Sequence, residues 1–535
     1  MPGMKKTAQF SIALILLAGF TAYAFPKPAS LTETQRITHV LNRTTFGPRP
    51  GDVERVRKIG IDRYIDEQLH PERIDDRAAQ ARLDAFPSIS LSAAEMLERY
   101  PDQQTVARML GIDRQNTDQA AARQQIQAFI REKGLAQPQK ALQELVGQRI
   151  VRAVASERQL EEVLTDFWFN HFNVFINKNN ERYLTTEYEM KAIRPHVLGK
   201  FKDLLMATAK SSAMMVYLDN QTSVAPDPRL AAAATQRKNG RAQGINENYA
   251  RELMELHTMG VDGGYTQRDV QEVARAFTGW SVAQQQQQQD RAPARQAENA
   301  ARGNRAAAAQ NGRKAANAAQ QRNAQIPSNA ARGEFVFRPM MHDTGEKTVL
   351  GNPIRSGGGI EDGEQVIEIL VRHPSTARFI ATKLVRRFVN DTPPEPLVGR
   401  VAATFTRTGG DIREMLRVIF SSEEFFAPEN FQAKAKSPLE FAASAIRALD
   451  GATDGGQPIA QSLERMGQPL YRYQAPTGFP DRADFWLSNG LVLERINFAI
   501  ALTGNRMQGT RVNTAGFSDA RAASLFVGSP EFQKR

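Results

Sequence analysis

Apolar residues recur at helical spacing along almost the whole chain, and alternation at the spacing of a strand is rare. That periodicity restricts the fold to packed amphipathic helices. Periodic runs cover 138–175, 185–210, 246–259, 267–280, 363–371, 375–390, 411–420, 437–449 and 484–503. Ser30-Leu31-Thr32-Glu33 reads as a capping box, opening a helix with Ile37, Val40 and Leu41 on one face. Gly47-Pro48-Arg49-Pro50-Gly51 then breaks the chain. The best strand pattern is Phe335–Arg338 and Lys347–Leu350, either side of Asp343-Thr344-Gly345-Glu346, which predicts one small hairpin. The expectation is a mainly α fold: a single large multi-helix domain with one small β-hairpin and a long disordered insert.

The insert is the segment 283–333, rich in Gln, Ala and Arg. Apolar residues larger than Ala are almost absent from it, so it cannot bury enough surface to offset the entropy of ordering. It divides the domain into a helical part at 25–282 and a hairpin-plus-helix part at 334–535. It also accounts for most of the charge. Of the formal +11, the insert carries +6 and the first 24 residues +2. The remaining chain is close to neutral, so net charge gives no case for a nucleic-acid partner.

Residues 1–24 read as a signal peptide. Lys5 and Lys6 precede an uncharged apolar run from Phe10 to Phe20, and Ala22-Tyr23-Ala24 supplies the small-x-small cleavage pattern. The run is shorter than the roughly 20 residues that span a bilayer. Cleavage after Ala24 by the general secretory route is expected, with a periplasmic or secreted product and no transmembrane span left. The chain has no cysteine, which excludes disulfides, thiolate chemistry and lipoprotein acylation.

Three polar constellations could carry chemistry. On the helix 246–259, Glu247, Arg251, Glu252 and Glu255 share one face at 100° per residue, with Asn246 at its start and Thr258 in the same arc. Three carboxylates there could hold a metal, but Arg251 lies four residues from Glu247 and Glu255, which also reads as paired ions on a solvated face. His257 falls among the apolar residues. The second constellation is Thr165–Phe175, where Asp166, Asn170 and Asn173 make a narrow polar stripe in an aromatic helix with Trp168 and His171. That suits a hydrogen-bonded network or a pocket floor. The third is His342-Asp343, in a turn, placed for a ligand or a base or simply for the turn. Gly-x-Ser-x-Gly, phosphate-loop, His-Glu-x-x-His and dinucleotide signatures are absent, so no catalytic residue, metal or cofactor is assigned.

Longer strings carry a family resemblance. They are Leu41-Asn42-Arg43-Thr44-Thr45-Phe46-Gly47-Pro48, the FWFNHFNVF segment, NENYARELMELHTMGVDGGYTQRDVQEVARAFTGW from Asn246 to Trp280, Met341-His342-Asp343-x-Gly345, and the final SPEFQKR. From about Leu31 to Arg535 the chain resembles the bacterial domain of unknown function 1800 family. The resemblance implies an exported protein, often encoded beside a second exported protein of sulfatase-like type. It brings no reaction and no catalytic residue.

Three functions fit these readings. One is a non-catalytic envelope protein that binds or helps assemble a partner, the co-encoded sulfatase-like protein being the candidate. Another is a metal-dependent envelope enzyme using Glu247, Glu252, Glu255, His171, His342 and Asp343, provided that the fold gathers them. A third is a small-ligand carrier with an aromatic pocket around Trp168, Phe172 and Trp280.

Overall fold

The computed structural model describes residues 30–112, 118–226, 244–283 and 330–535. The signal-like start and most of the 283–333 segment lie outside the described residues. Helices dominate the rest, as the periodicity requires. Among the described residues no helix is long and apolar enough to cross a membrane. One apolar core runs from Ile37 to Val527 and takes in helices from both sides of the insert.

The helix boundaries depart from the periodicity where side chains from elsewhere claim the backbone. The run 138–175 is two helices, Pro138–Ala155 and Gln159–His171. Between them, the Asp76 carboxylate accepts from the Ser156 hydroxyl (3.0 Å) and the Glu157 N–H (2.7 Å). The Gln159 amide donates back to the carbonyls of Ala153 and Ser156. These bonds take over groups that a continuous helix would have paired. At the first helix, Glu33–Thr44, the capping box joins Thr32 to Gln35, two residues further along than the sequence pattern placed it.

The helix read at 246–259 changes type partway. Glu247–Glu252 is α-helical, and Leu253–Thr258 is a π-helix in which Met259 N–H bonds back five residues to Met254 O. A phase of 100° per residue fails across such a turn. Thr258, placed by that phase beside the carboxylates, is instead fully buried, with its hydroxyl on Leu253 O. A second π segment, Tyr188–Ile193, follows the helix Glu181–Glu187.

The strands also pair differently from the expected single hairpin. The described residues hold three two-stranded antiparallel sheets. Phe335–Phe337 (β2) pairs with Trp280–Val282 (β1), on the far side of the insert. Lys347–Val349 (β3) pairs with Asn352–Ile354 (β4) through Leu350 and Gly351, which have φ of 50° and 77°. Two positive φ values make the turn whose twist matches a hairpin. Ala452–Thr453 (β5) pairs with Thr510–Arg511 (β6). The β1–β2 ladder is extended by Ala283 N–H to Glu334 O and Gly333 N–H to Ala283 O. The two ends of the insert therefore leave and rejoin the fold at one place.

Two segments with similar sequences also share local structure. After the helix Ile412–Phe420 the Ser422 hydroxyl accepts from Phe425 N–H (3.1 Å). After the helix Ala520–Gly528 the Ser529 hydroxyl accepts from Phe532 N–H (3.2 Å). Each is the short turn a serine caps.

Candidate functional site

The Gln159–His171 helix presents two kinds of face. Trp168 is fully buried and donates its indole N–H to Val197 O (3.2 Å). Asp166, Asn170 and His171 face a cavity of about 280 Å³, just under the roughly 300–1,000 Å³ of ordinary small-ligand pockets. The aromatic pocket expected around Trp168, Phe172 and Trp280 is absent, because all three rings are packed into the core at 0% exposure.

The cavity is closed by the loop around 473–482, which the helix grips through its two asparagines. Asn170 donates to Phe479 O (2.9 Å) and accepts from Phe479 N–H (2.7 Å). Asn173 donates to the carbonyls of Tyr473 (2.9 Å) and Ala475 (2.8 Å). Gly478 lies between them with φ +68°, and a Cβ there would sit 2.1 Å from Asn170 O. Only glycine combines that backbone with that approach.

The opposite wall is the helix Pro374–Phe388. Lys383, Arg386 and Arg387 occupy the i, i+3, i+4 positions that share a face, and all three line the cavity. Arg387 pairs with the buried Glu440 (2.6 Å), which also meets Arg535 (3.1 Å). Burial alone would raise Glu440, but the two guanidinium groups outweigh it and hold the carboxyl at about 2. Asp481 behaves in the same way: burial opposes ionisation, yet Lys434, at 3.0 Å, and Arg387 bring it to about 2. Both are firm carboxylates.

The floor is a second ion cluster. Arg149 is buried between the rings of Phe169 and Tyr471, each 4.9 Å from its guanidinium carbon. It pairs with Asp166 (3.1 Å) and Glu189 (3.6 Å), and the Tyr471 hydroxyl donates to Glu189 (2.6 Å). Tyr471 has φ +63°, a strained conformation for an aromatic residue and of the kind that gathers at functional sites. Burial raises the Asp166 carboxyl above its usual range, only partly countered by Arg149.

Two groups in the cavity stand out for what they lack. The imidazole of His171 donates from Nε2 to His257 O (3.1 Å), so Nδ1 carries the lone pair, and that atom is buried with no hydrogen-bond partner. Burial, the charge of Lys383 and the neighbouring His257 all keep the ring neutral. Lys383 itself is half-buried. Among the described residues it makes no ion pair or hydrogen bond, and its ammonium lies 5.4 Å from the Phe379 ring centre. Burial brings its pKa from 10.5 down to about 8, with Asp481 opposing and Arg386 adding to the shift. A carboxyl pushed upward by burial, a neutral histidine and a weakened lysine in one cavity are the perturbed set that functional sites display.

The twelve residues singled out in the sequence fall into three separate places. Asp166, Asn170, His171 and Asn173 line this cavity, while Trp168 backs it from within the core. Asn246 caps its helix by accepting from Tyr249 N–H (3.2 Å) and donates to Leu218 O (2.7 Å). Glu247 accepts from the amides of Gln267 and Gln271, Arg251 pairs with Glu255 (3.3 Å), and Glu252 is half-buried beside them. His342 is buried elsewhere, with Nε2 3.1 Å from Asp362, and Asp343 pairs with Arg275 (2.8 Å). Among the described residues no three His, Asp or Glu side chains are arranged to hold a metal ion. The proposed metal set is therefore not gathered by the fold.

Sequence reading passed over Arg149, Lys383, Arg387, Glu440, Tyr471 and Asp481. One signal was available: Arg387 falls at the edge of the buried face of its helix, with Lys383 and Arg386 beside it. Their partners come from segments up to about three hundred residues away, which no spacing reveals.

Fold and site together define a large helical protein with a polar, cation-rich cavity lined by residues from its N-terminal and C-terminal parts. Within that class the chain belongs to the family described as a protein of unknown function, DUF1800, whose model matches residues 39–534. No curated protein and no solved structure shows significant similarity to it. The family match spans every segment that builds the cavity.

Proposed function

We propose that this chain is an exported bacterial envelope protein that binds a small acidic ligand in the cavity between Asp166 and Lys383. One observation carries the reading: two cations of the cavity wall, Lys383 and Arg386, have no carboxylate within ion-pair distance among the described residues. Arg149, Lys383, Arg386, Arg387 and Arg482 line it, against Asp166, Glu440 and Asp481. Arg387 and Arg149 have nearby carboxylates, but Lys383 has none within ion-pair distance among the described residues. An unpaired ammonium in a part-buried cleft favours an anion, and the half-buried Phe479 with Trp486 offers apolar surface beside it. The test is a thermal shift of the full chain with simple mono- and dicarboxylates, sulfate and phosphate at low and high salt. Stabilisation that saturates and is lost in Lys383→Met supports the reading; no saturable shift with any of these anions removes it.

A second reading rests on a different surface. The helix Asn489–Thr503 buries Phe498, Ala499 and Leu502, yet exposes Leu493 (57%), Ile496 (39%) and Ile500 (45%) on the other side. Leu525 (68%) and Phe526 (44%) of the adjoining helix are exposed as well. Exposed apolar residues in a row mark interaction surfaces. The occupant proposed is the exported sulfatase-like protein that the family pairing implies, purified and mixed with this chain. Co-elution abolished by Leu493→Asp with Leu525→Asp supports docking there, and separate elution rules it out. Export is tested separately by locating the protein in periplasmic and culture fractions and sequencing its mature N-terminus.

A further inference from the structure

Lys383 differs from the other cations of the cavity in chemistry as well as in pairing. A guanidinium stays protonated at any physiological pH and cannot act as a nucleophile. A primary amine can, once it has lost its proton, and the surroundings of Lys383 favour that loss. Arg386 lies one turn along its own helix, and the anion acting on it among the described residues is Asp481 of the closing loop, which is already committed to Lys434. From the third side come two imidazoles, His171 and His257, both neutral and both within range of the lysine's charge. Among the described residues no carboxylate pins the ammonium, and the Phe379 ring lies near it, 5.4 Å from ring centre to Nζ.

We propose that Lys383 is a carbonyl-reactive amine, and that the cavity takes small oxo acids, the carboxylate held by Arg386 and Arg387 and the carbonyl presented to Nζ. The inference rests on the acidic-ligand reading above and names the substrate class for that same site. In the step, the Nζ lone pair attacks the carbonyl carbon. The C–O bond then breaks, and the oxygen leaves as water carrying the two amine hydrogens. A C=N bond replaces the C=O bond, with no oxidant, reductant or further reactant. Asp166, a carboxyl that keeps its proton more tightly than usual, stands in the same cavity to protonate the departing hydroxyl. His171 Nδ1, buried and unpartnered, is an acceptor in the same wall. The pieces needed to form and release an imine are thus placed together with a cationic grip for the acid end.

The experiment uses the full chain, glyoxylate and sodium cyanoborohydride, with the modified lysines located by peptide mass spectrometry. The expected result is a carboxymethyl group on Lys383 formed at least tenfold faster than on any other lysine. The rate should rise with pH through a midpoint near 8. Succinate, an acid with no reducible carbonyl, should slow it, and Lys383→Arg should abolish it while still binding succinate in the thermal shift. Modification spread evenly over surface lysines overturns the proposal. If succinate binds but Lys383 is not modified, the acid-binding reading stands and the amine chemistry falls. If Lys383 is modified but neither succinate nor glyoxylate binds saturably, the oxo-acid assignment is overturned along with the acid-binding reading.

Discussion

Two buried polar clusters, each containing a histidine, have opposite characters in this molecule. Around His342, every strong group has a partner. Asp362 takes the imidazole (3.1 Å) and the fully buried Lys347 ammonium (2.7 Å), and Lys347 also donates to the carbonyls of Asp343 and Gly345. His342 Nδ1 is met by Thr278 O (2.7 Å). Around His171, by contrast, Nδ1 has no partner, Arg387 leaves two guanidinium nitrogens without hydrogen bonds, and Lys383 makes no ion pair among the described residues. The first cluster is satisfied and sealed, as structural networks are. The second is under-satisfied beside a cavity. A histidine near carboxylates is thus weak evidence by itself; what separates structure from site is whether the polar valences are filled.

That contrast can be broken or sharpened by substitution. The largest effect belongs to the sealed cluster. Asp362→Ala strands the buried Lys347 charge and should cost about 3–5 kcal/mol of unfolding free energy, read from urea midpoints. A loss below about 1 kcal/mol would show that Lys347 finds water or another partner. Next is Gly478→Ala, which forces a Cβ toward Asn170 O in a left-handed backbone. The expected cost is about 1–3 kcal/mol, together with loss of anion-induced stabilisation as the loop lifts from Asn170 and Asn173.

The pH dependence is spread over several pH units and has a definite sign. The folded pKa of His257 is depressed from 6.5 to about 3, chiefly by burial, so its contribution is present above 6.5 and lost as pH falls toward 3. Glu440 is depressed from 4.5 to about 2, so its contribution is lost below 4.5. Stability should therefore begin to fall below about pH 6.5 and fall more steeply below about 4.5. Glu440→Gln should flatten only the steeper limb, though at a lower overall stability, because Arg387 and Arg535 lose their shared counter-charge. The smallest effect on stability is Lys383→Met. Removing an unpaired, part-buried ammonium should change the unfolding free energy by less than about 1 kcal/mol, in either direction. It should nevertheless eliminate the response to anions, separating the open cluster's function from the fold.

Parts of the site were legible from sequence. Asp166, Asn170, His171 and Asn173 stood out as polar residues in an aromatic segment, and that segment does form a wall of the cavity. The role of the two asparagines, holding the 473–479 backbone, could not be read, because their partners are main-chain groups about three hundred residues away. Lys383 was hidden for a different reason. A lysine on a helix face is ordinarily solvated, and only the approach of groups from distant segments, His171, His257 and Asp481 among them, partly desolvates it. The hairpin expectation failed at the same level: Phe335–Phe337 is strand-like by composition, but its edge is filled by Trp280–Val282 from before the insert.

The sequence by itself determined the helical class, the family and the segments that form helices, because apolar periodicity and local capping act over a few residues. The Thr266–Asp269 cap of the helix Gln267–Ala276 and the serine turns after Phe420 and Gly528 are local features of this kind, built within a few residues. Tertiary structure decided where the 138–175 run breaks, where the helix at 247–258 becomes a π-helix, which strands pair and which polar residues share a cavity. Those outcomes depend on competition for hydrogen bonds and charge between segments far apart in the chain. The difference between the sealed cluster at His342 and the open one at His171 is of this second kind: similar residues, distinguished only by whether distant partners arrive to satisfy them.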